Sequence, residues 1–294
     1  MKIILFGKNG QLGYEILNKI SSYPSILALG KHECDLNNLL SLKKIIRDYK
    51  PDIIINAAAY TDVEKAEKNK KIVDAVNFLA PKVMAEEAEK LNSLLIHFST
   101  DYVFDGKKQG AYLEDDKTNP LNAYGFSKLN GDLSIQKICT KYFILRTSWV
   151  NGSHGKSFVS KILYYANKND KLKVVNDQYG APTFAKSLAE LTDLIVKKYL
   201  DNNNNISYGL YNATASGKTT WYNLAKYIVL KARSIRENIK IMPNNIIAIN
   251  SSEYNSNTIR PKNSILSSKK LEKNFNFKLP TWQKGIDEIL EKIL

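Results

Sequence analysis

The sequence predicts an α/β protein whose parallel sheet is covered by helices on both faces. Two observations carry that reading. Short, wholly apolar runs alternate with helical patterns through the first half of the 294 residues, as buried parallel strands and their crossover helices do. A glycine turn, Gly7-Lys8-Asn9-Gly10-Gln11-Leu12-Gly13, joins the first such run to the first helical pattern. Strand, glycine turn and helix in that order make the sheet Rossmann-type and doubly wound.

Ile3-Ile4-Leu5-Phe6 is the first strand, and Leu12, Ile16, Leu17 and Ile20 share one face of the helix after it. Glycine lets the chain turn tightly and lets its backbone approach a pyrophosphate. Free N–H groups at the helix N-terminus then meet the phosphates. The spacing is Gly-x-x-Gly-x-x-Gly, not the Gly-x-Gly-x-x-Gly of many dehydrogenases. Ile26-Leu27-Ala28-Leu29, Ile53-Ile54-Ile55, Leu94-Leu95-Ile96-His97-Phe98 and Tyr142-Phe143-Ile144-Leu145 are the next strands. Helical patterns lie around 39–49, 71–91 and 122–139. Past residue 150 the pattern loosens: 201–205 reads as a polar surface loop, 206–262 is mixed, and a helix closes the chain near Trp282–Ile293. The expected division is a dinucleotide-binding domain over 1–150, receiving later segments around 170–200. Residues 151–294 are mainly substrate-binding, with an interleaved boundary.

Composition narrows the function classes. Apolar residues make up 44% of the chain, enough for a substantial core. No run reaches the roughly 18 apolar residues of a membrane span, and the chain enters a strand at once, without the basic and apolar regions of a secretory signal. Cys34 and Cys139 are too few for a disulfide framework, which fits a reducing cytoplasm. The net charge is +14, from 43 basic and 29 acidic residues. The lysines are spread over many segments. They read as a solvated surface whose field favours an anionic nucleotide, not as a nucleic-acid site.

Tyr124 and Lys128 stand four apart at the start of a helical pattern and so share one face. A phenol is a poor acid or base near neutrality. An adjacent ammonium lowers its pKa, and the pair can then pass a proton to or from a substrate oxygen. Ser99-Thr100-Asp101 follows the fourth strand, placing Thr100 at the sheet edge where such folds bind ligands. Its hydroxyl can reach the same oxygen. Together these features describe a nicotinamide-dependent site. At the second strand's end, Leu29-Gly30-Lys31-His32 offers no carboxylate for the ribose hydroxyls of NAD, and Lys31 can meet a 2′-phosphate. NADPH is the expected cofactor, with NADH also possible.

Longer runs resemble one family of the extended short-chain dehydrogenase/reductases. Asn56-Ala57-Ala58-Ala59-Tyr60-Thr61, Ser99-Thr100-Asp101-Tyr102-Val103-Phe104-Asp105-Gly106 and Asn176-Asp177-Gln178-Tyr179-Gly180-Ala181-Pro182-Thr183 are similar to dTDP-4-dehydrorhamnose reductases. So are Pro120-Leu121-Asn122-Ala123-Tyr124-Gly125, Arg146-Thr147-Ser148-Trp149-Val150, Arg260-Pro261-Lys262-Asn263-Ser264 and Leu279-Pro280-Thr281-Trp282. The resemblance implies a smaller mixed α/β C-terminal substrate domain and reduction of the 4-keto group of a dTDP-6-deoxyhexulose to dTDP-L-rhamnose. Tyr124 would give the proton, Lys128 hold the nicotinamide ribose and tune Tyr124, and Thr100 hydrogen-bond the carbonyl. Gly7, Asn9, Gly10, Gln11 and Leu12 would cradle the cofactor phosphates, and Asp35 and Leu36 lie beside its adenine. Ala57, Ala58 and Ala59 would leave room for it, with Tyr60 and Asn77 packed around. On the sugar-nucleotide side, Trp149 would form an apolar wall, while Asp101 and Asn151 meet sugar hydroxyls. Gln178, Thr183 and Arg260 would contact dTDP, arginine's planar fork suiting a pyrophosphate.

No structural metal is expected. Glu15 sits where a glutamate ligand falls in some members of the family, but Lys186 stands where a second acid is wanted. His32, His97 and His154 have no ligand spacing, and His97 reads as a satisfied core residue. A sugar-nucleotide dehydratase would need further acid–base groups after the strand-end Thr, where Tyr102 stands. A non-catalytic regulatory subunit would not need Thr100, Tyr124 and Lys128 together. Either a monomer or a homodimer fits.

Overall fold

Each apolar run of the first half forms a strand in the computed structural model, which describes residues 1–201, 206–236, 239–254, 256 and 258–294. The strands are β1 (Ile3–Phe6), β2 (Ile26–Leu29), β3 (Ile53–Asn56), β4 (Leu94–Thr100) and β5 (Tyr142–Thr147). Between them run α1 (Gln11–Ile20), α2 (Leu39–Tyr49), α3 (Val63–Ala66), α4 (Lys70–Asp74), α5 (Ala80–Leu91) and α6 (Ala123–Ile138). Pleating sends alternate side chains to opposite layers. Ile3, Leu5, Ile53, Ile55, Leu94 and Ile96 pack with Leu12, Ile16 and Ile20 of α1. Ile4, Phe6, Ile54 and Leu95 pack with Leu42 and Ile46 of α2 and Met84, Ala85 and Ala88 of α5. Fully burying one such Leu or Ile is worth about 1.5–3 kcal/mol, so both faces of the sheet hold it in place.

The pattern over 71–91 predicts one helix, and the structure breaks it with a π turn at Ala75–Leu79. Pro81 supplies the reason. It has no N–H to return to the Asn77 carbonyl, so the ladder must widen there. The turn buries Asn77, whose side chain accepts from Tyr60 N at 2.8 Å and donates to Tyr60 O and Ser127 Oγ.

Past β5 the chain crosses repeatedly between two bodies. Short strands β6 (Val150–Asn151), β7 (Leu172–Val175), β8 (Tyr179–Gly180) and β9 (Thr183–Phe184), with α7 (Phe158–Lys168), precede α8 (Ala185–Leu200) and β10 (Gly209–Asn212). β10 completes a six-stranded parallel sheet of order β2-β1-β3-β4-β5-β10. α8 packs Leu188, Leu191 and Ile195 into the same layer as α1. α8 thus falls within the 170–200 expected from sequence and β10 just beyond it, while β7 stays in the smaller body. Asp201 caps α8, and 202–205 of the expected polar loop lie outside the described residues.

The smaller body adds β11 (Thr219–Thr220), α9 (Trp221–Ile235), β12 (Ile246–Ile249), α10 (Lys269–Phe275) and α11 (Trp282–Ile293). Its core joins Val159 and Ile162 of α7, Leu224 and Ile228 of α9, and Ile286 and Ile289 of α11. α10 and the segment after it return to the large sheet, through Leu271, Phe275 and Leu279.

Candidate active site

The C-terminal ends of β1, β3, β4 and β5 open on one cavity of about 840 Å³, which Gly155, Lys156 and Trp221 also line. β1 and β3 lead away to opposite sides of the sheet, the position where open α/β sheets bind nucleotides. Gly7, Asn9, Gly10, Gln11 and Leu12 line it there. Gly7 has φ +90°, and a Cβ on it would lie 2.7 Å from Ala58 N; one on Gly13 would lie 2.0 Å from Gly7 O. The turn therefore requires both glycines, whereas a Cβ on Gly10 would meet Gly7 O at an ordinary 3.5 Å. No side chain caps α1 at Gly10, which leaves the helix N-terminus to offer its N–H groups to an anion. This cradle fits the pyrophosphate of a dinucleotide.

Lys31, Asp35, Leu36, Ala57, Ala58, Ala59 and Tyr60 continue the lining. Lys31 is exposed. Glu33 is turned back, accepting from Gly30 N at 2.9 Å and pairing with Lys8. Glu33 is thereby engaged, and Lys31 and Asp35 both line the cavity just past β2.

Thr100, Tyr124 and Lys128 meet on the cavity floor. Asn122 caps α6 through Gly125 N, and Glu67 accepts from Ala123 N at 2.7 Å, fixing the turn that carries Tyr124. The Tyr124 ring lies edge-on to Tyr102, 5.5 Å between centroids. Lys128 is 1% exposed. Its Nζ donates to Phe98 O at 2.6 Å and lies 3.0 Å from His97 Nε2. Asp132, one turn further on, accepts from Ser99 Oγ at 2.7 Å and pairs with Arg146.

Burial pushes the Tyr124 phenol up to about 12, the Asp101 and Asp132 charges add to the rise, and a hydrogen bond with Thr100 opposes it. Burial also pulls Lys128 down to about 8 against the field of Asp132. The Lys128 amine is turned to Phe98 O and His97 of β4.

A model of the RmlD substrate binding domain family matches residues 1–294. The chain belongs to this family. It is 37% identical to a dTDP-4-dehydrorhamnose reductase of Escherichia coli K12, over 100% of this chain and 98% of the relative. It is 31% identical to the spore coat polysaccharide biosynthesis protein SpsK of Bacillus subtilis, over 99% and 97%. Among solved structures, a dTDP-4-dehydrorhamnose reductase of Clostridium acetobutylicum superposes with TM-score 0.89 at 31% identity, over 99% of both chains. One from Bacillus anthracis in complex with NADP gives 0.88 at 30% identity, over 99% of this chain and 100% of that one.

In this member of the RmlD family, Asp101 and Trp149 also line the cavity. Trp149 holds φ +46° and stacks on Trp221, 3.5 Å between centroids. The remaining expected contacts stand behind the wall. Asn77 braces Tyr60. Asn151 donates to Trp149 O at 2.8 Å, and Gln178 accepts from Trp221 Nε1 at 3.2 Å. Thr183 is fully buried, donating to Ala181 O and accepting from Ala215 N. Arg260 is committed to Glu64 at 2.9 Å. These five do not line the cavity; each holds contacts within the fold, while among the described residues the Arg260 Nε is buried without a partner. Lys186, expected to repel a cation near Glu15, pairs with Glu288 at 3.0 Å. Tyr102, within the Ser99–Gly106 run, lines the cavity too, as do Trp221 and Lys156, which carry no motif that singles them out. Trp221 had one signal, the helix-capping Thr220 before an aromatic residue.

Proposed function

We propose that this protein reduces the 4-keto group of dTDP-4-dehydro-L-rhamnose to give dTDP-L-rhamnose, using NADPH, with NADH as an alternative donor. The observation that carries the reading is the convergence of Thr100, Tyr124 and Lys128 on the floor of the cavity that the glycine turn opens. When bound, the reduced nicotinamide supplies the hydride. Gly7, Asn9, Gly10, Gln11 and Leu12 hold the phosphates, Lys31 meets the 2′-phosphate, and Asp35 and Leu36 flank the adenine. Tyr124, neutral throughout the physiological range, gives its proton to the oxygen that becomes the hydroxyl. Thr100 hydrogen-bonds that oxygen, and Lys128 offers an N–H to the ribose. Fixed donors in a buried site stabilise a developing oxyanion more than water does. Trp149 and Trp221 wall the deoxysugar, and Asp101 meets its hydroxyls. Work in a reducing cytoplasm, as a monomer or homodimer, belongs to the same reading.

Tyr124→Phe tests it. Turnover should fall roughly 100-fold or more, as for loss of a general acid, with NADPH affinity nearly unchanged. Near-normal turnover would remove Tyr124 from the chemistry.

A further inference from the structure

The chain between β6 and α7, residues 152–157, crosses over the N-terminus of α1 on its way into the smaller body. Gln11, the first residue of α1, is the peg that holds it. Its Oε1 accepts from Gly152 N at 2.8 Å, and its Nε2 donates to Lys156 O at 3.2 Å. One side chain thus fastens the loop at both ends. The next turn of α1 adds two contacts. Ser153 Oγ donates to the buried Glu15 at 3.3 Å, and the His154 ring stacks on Tyr14, 4.2 Å between centroids. Gly155, at φ +77°, turns the chain so that it and Lys156 line the cavity. The Gln11 side chain is committed to the loop, while its backbone N–H, which has no partner within the helix, stays available to a phosphate.

Charge decides what the loop delivers. The N-terminus of α1 offers a pyrophosphate about half an elementary charge, against a full negative charge on each phosphate. Lys8, in the glycine turn itself, is paired with Glu33. Among the described residues three lysines and no arginine line the cavity. Lys128 is turned to Phe98 O and His97 on its floor. Lys31 stands past β2, where the reading above gives it the 2′-phosphate. Lys156 remains, exposed and bonded through its carbonyl to the first residue of the phosphate-facing helix. We propose that residues 152–157 form a clasp on the cofactor, pegged by Gln11, that brings the Lys156 ammonium to the dinucleotide pyrophosphate. The proposal rests on the dinucleotide reading of the cavity and extends it. An ammonium on a phosphate oxygen makes a charge-assisted hydrogen bond. Because this one comes from the loop that leads into the smaller body, the bound cofactor ties the two bodies together.

Equilibrium binding of oxidised cofactors to the whole chain tests the clasp without turnover. Lys156→Met removes the charge and keeps most of the stem. It should weaken NADP⁺ and NAD⁺ by the same factor, about tenfold at low salt. The loss should shrink near 1 M salt, where charges are screened beyond about 3 Å. Lys292→Met takes the same charge from an exposed position of α11 and should change either Kd less than about twofold. A loss confined to NADP⁺ would put Lys156 on the 2′-phosphate, and a loss of dTDP binding without loss of NAD⁺ would put it on the sugar nucleotide. Either result would overturn the proposal, as would an equal loss in Lys292→Met. Gln11→Met cuts both bonds to the loop and keeps the backbone N–H. In that background Lys156→Met should cost less than about threefold, since the two residues act as one unit; a full tenfold loss there would overturn the peg. Wild-type protein that binds neither dinucleotide would overturn the dinucleotide reading itself. Wild-type binding that Lys156→Met leaves unchanged would overturn the role of Lys156 alone.

Discussion

Asp101 shows how the cavity floor treats charge. Burial pushes its carboxyl up to about 6, and contacts from Ser264 and Thr100 offset only part of the rise. The unfolded chain releases this proton near pH 4. Between those values the folded state binds more protons, so folding stability from this group is full below about pH 4 and is lost as pH rises through 6. Asp101→Asn should therefore raise stability at pH 8 by about 2–3 kcal/mol and change it little below pH 4. Urea midpoints at the two pH values check this, and an equal gain at both would contradict it. Lys31 carries the cofactor prediction. Lys31→Glu should lower the NADPH to NADH ratio of kcat/KM about tenfold or more, about 1.4 kcal/mol; an unchanged ratio would mean that Lys31 does not reach the 2′-phosphate. Tyr124 and Lys128 were legible because helical spacing alone puts them on one face. The link from His97 to Lys128 was not, since it spans 31 residues and forms only when β4 and α6 pack.

Secondary-structure elements position the aromatic wall. A Cβ on Gly180 of β8 would lie 2.6 Å from the Trp149 ring, so that strand holds the indole in its left-handed backbone position against Trp221. Gly180→Ala should displace Trp149 and raise KM for the sugar nucleotide several-fold, leaving NADPH affinity unchanged; an unaltered KM would detach this wall from substrate. The first five strands could be read directly, because burial leaves few polar positions before their C-terminal ends. β10, with only Leu210 and Tyr211 as large apolar residues, could not be distinguished from its mixed surroundings. Nor could the π turn, since a proline early in a helical pattern does not by itself mark one; its close approach to α6, where a Cβ on Gly131 would lie 2.4 Å from Asn77 O, is tertiary.

Across the whole molecule, the chain leaves the large sheet after β5, returns for α8 and β10, leaves again and returns with α10. The cavity lies where these crossings meet, so cofactor and substrate elements cannot be separated at residue 150. Among the described residues no helix is long and apolar enough to cross a membrane. The net charge of +14 suits a ligand rich in phosphate. The most direct test of the account is NADPH oxidation by purified protein supplied with dTDP-4-dehydro-L-rhamnose, with the product identified by mass and sugar analysis. The account predicts NADPH consumption matched mole for mole by dTDP-L-rhamnose. Tight NADPH binding without turnover of that sugar nucleotide would contradict it.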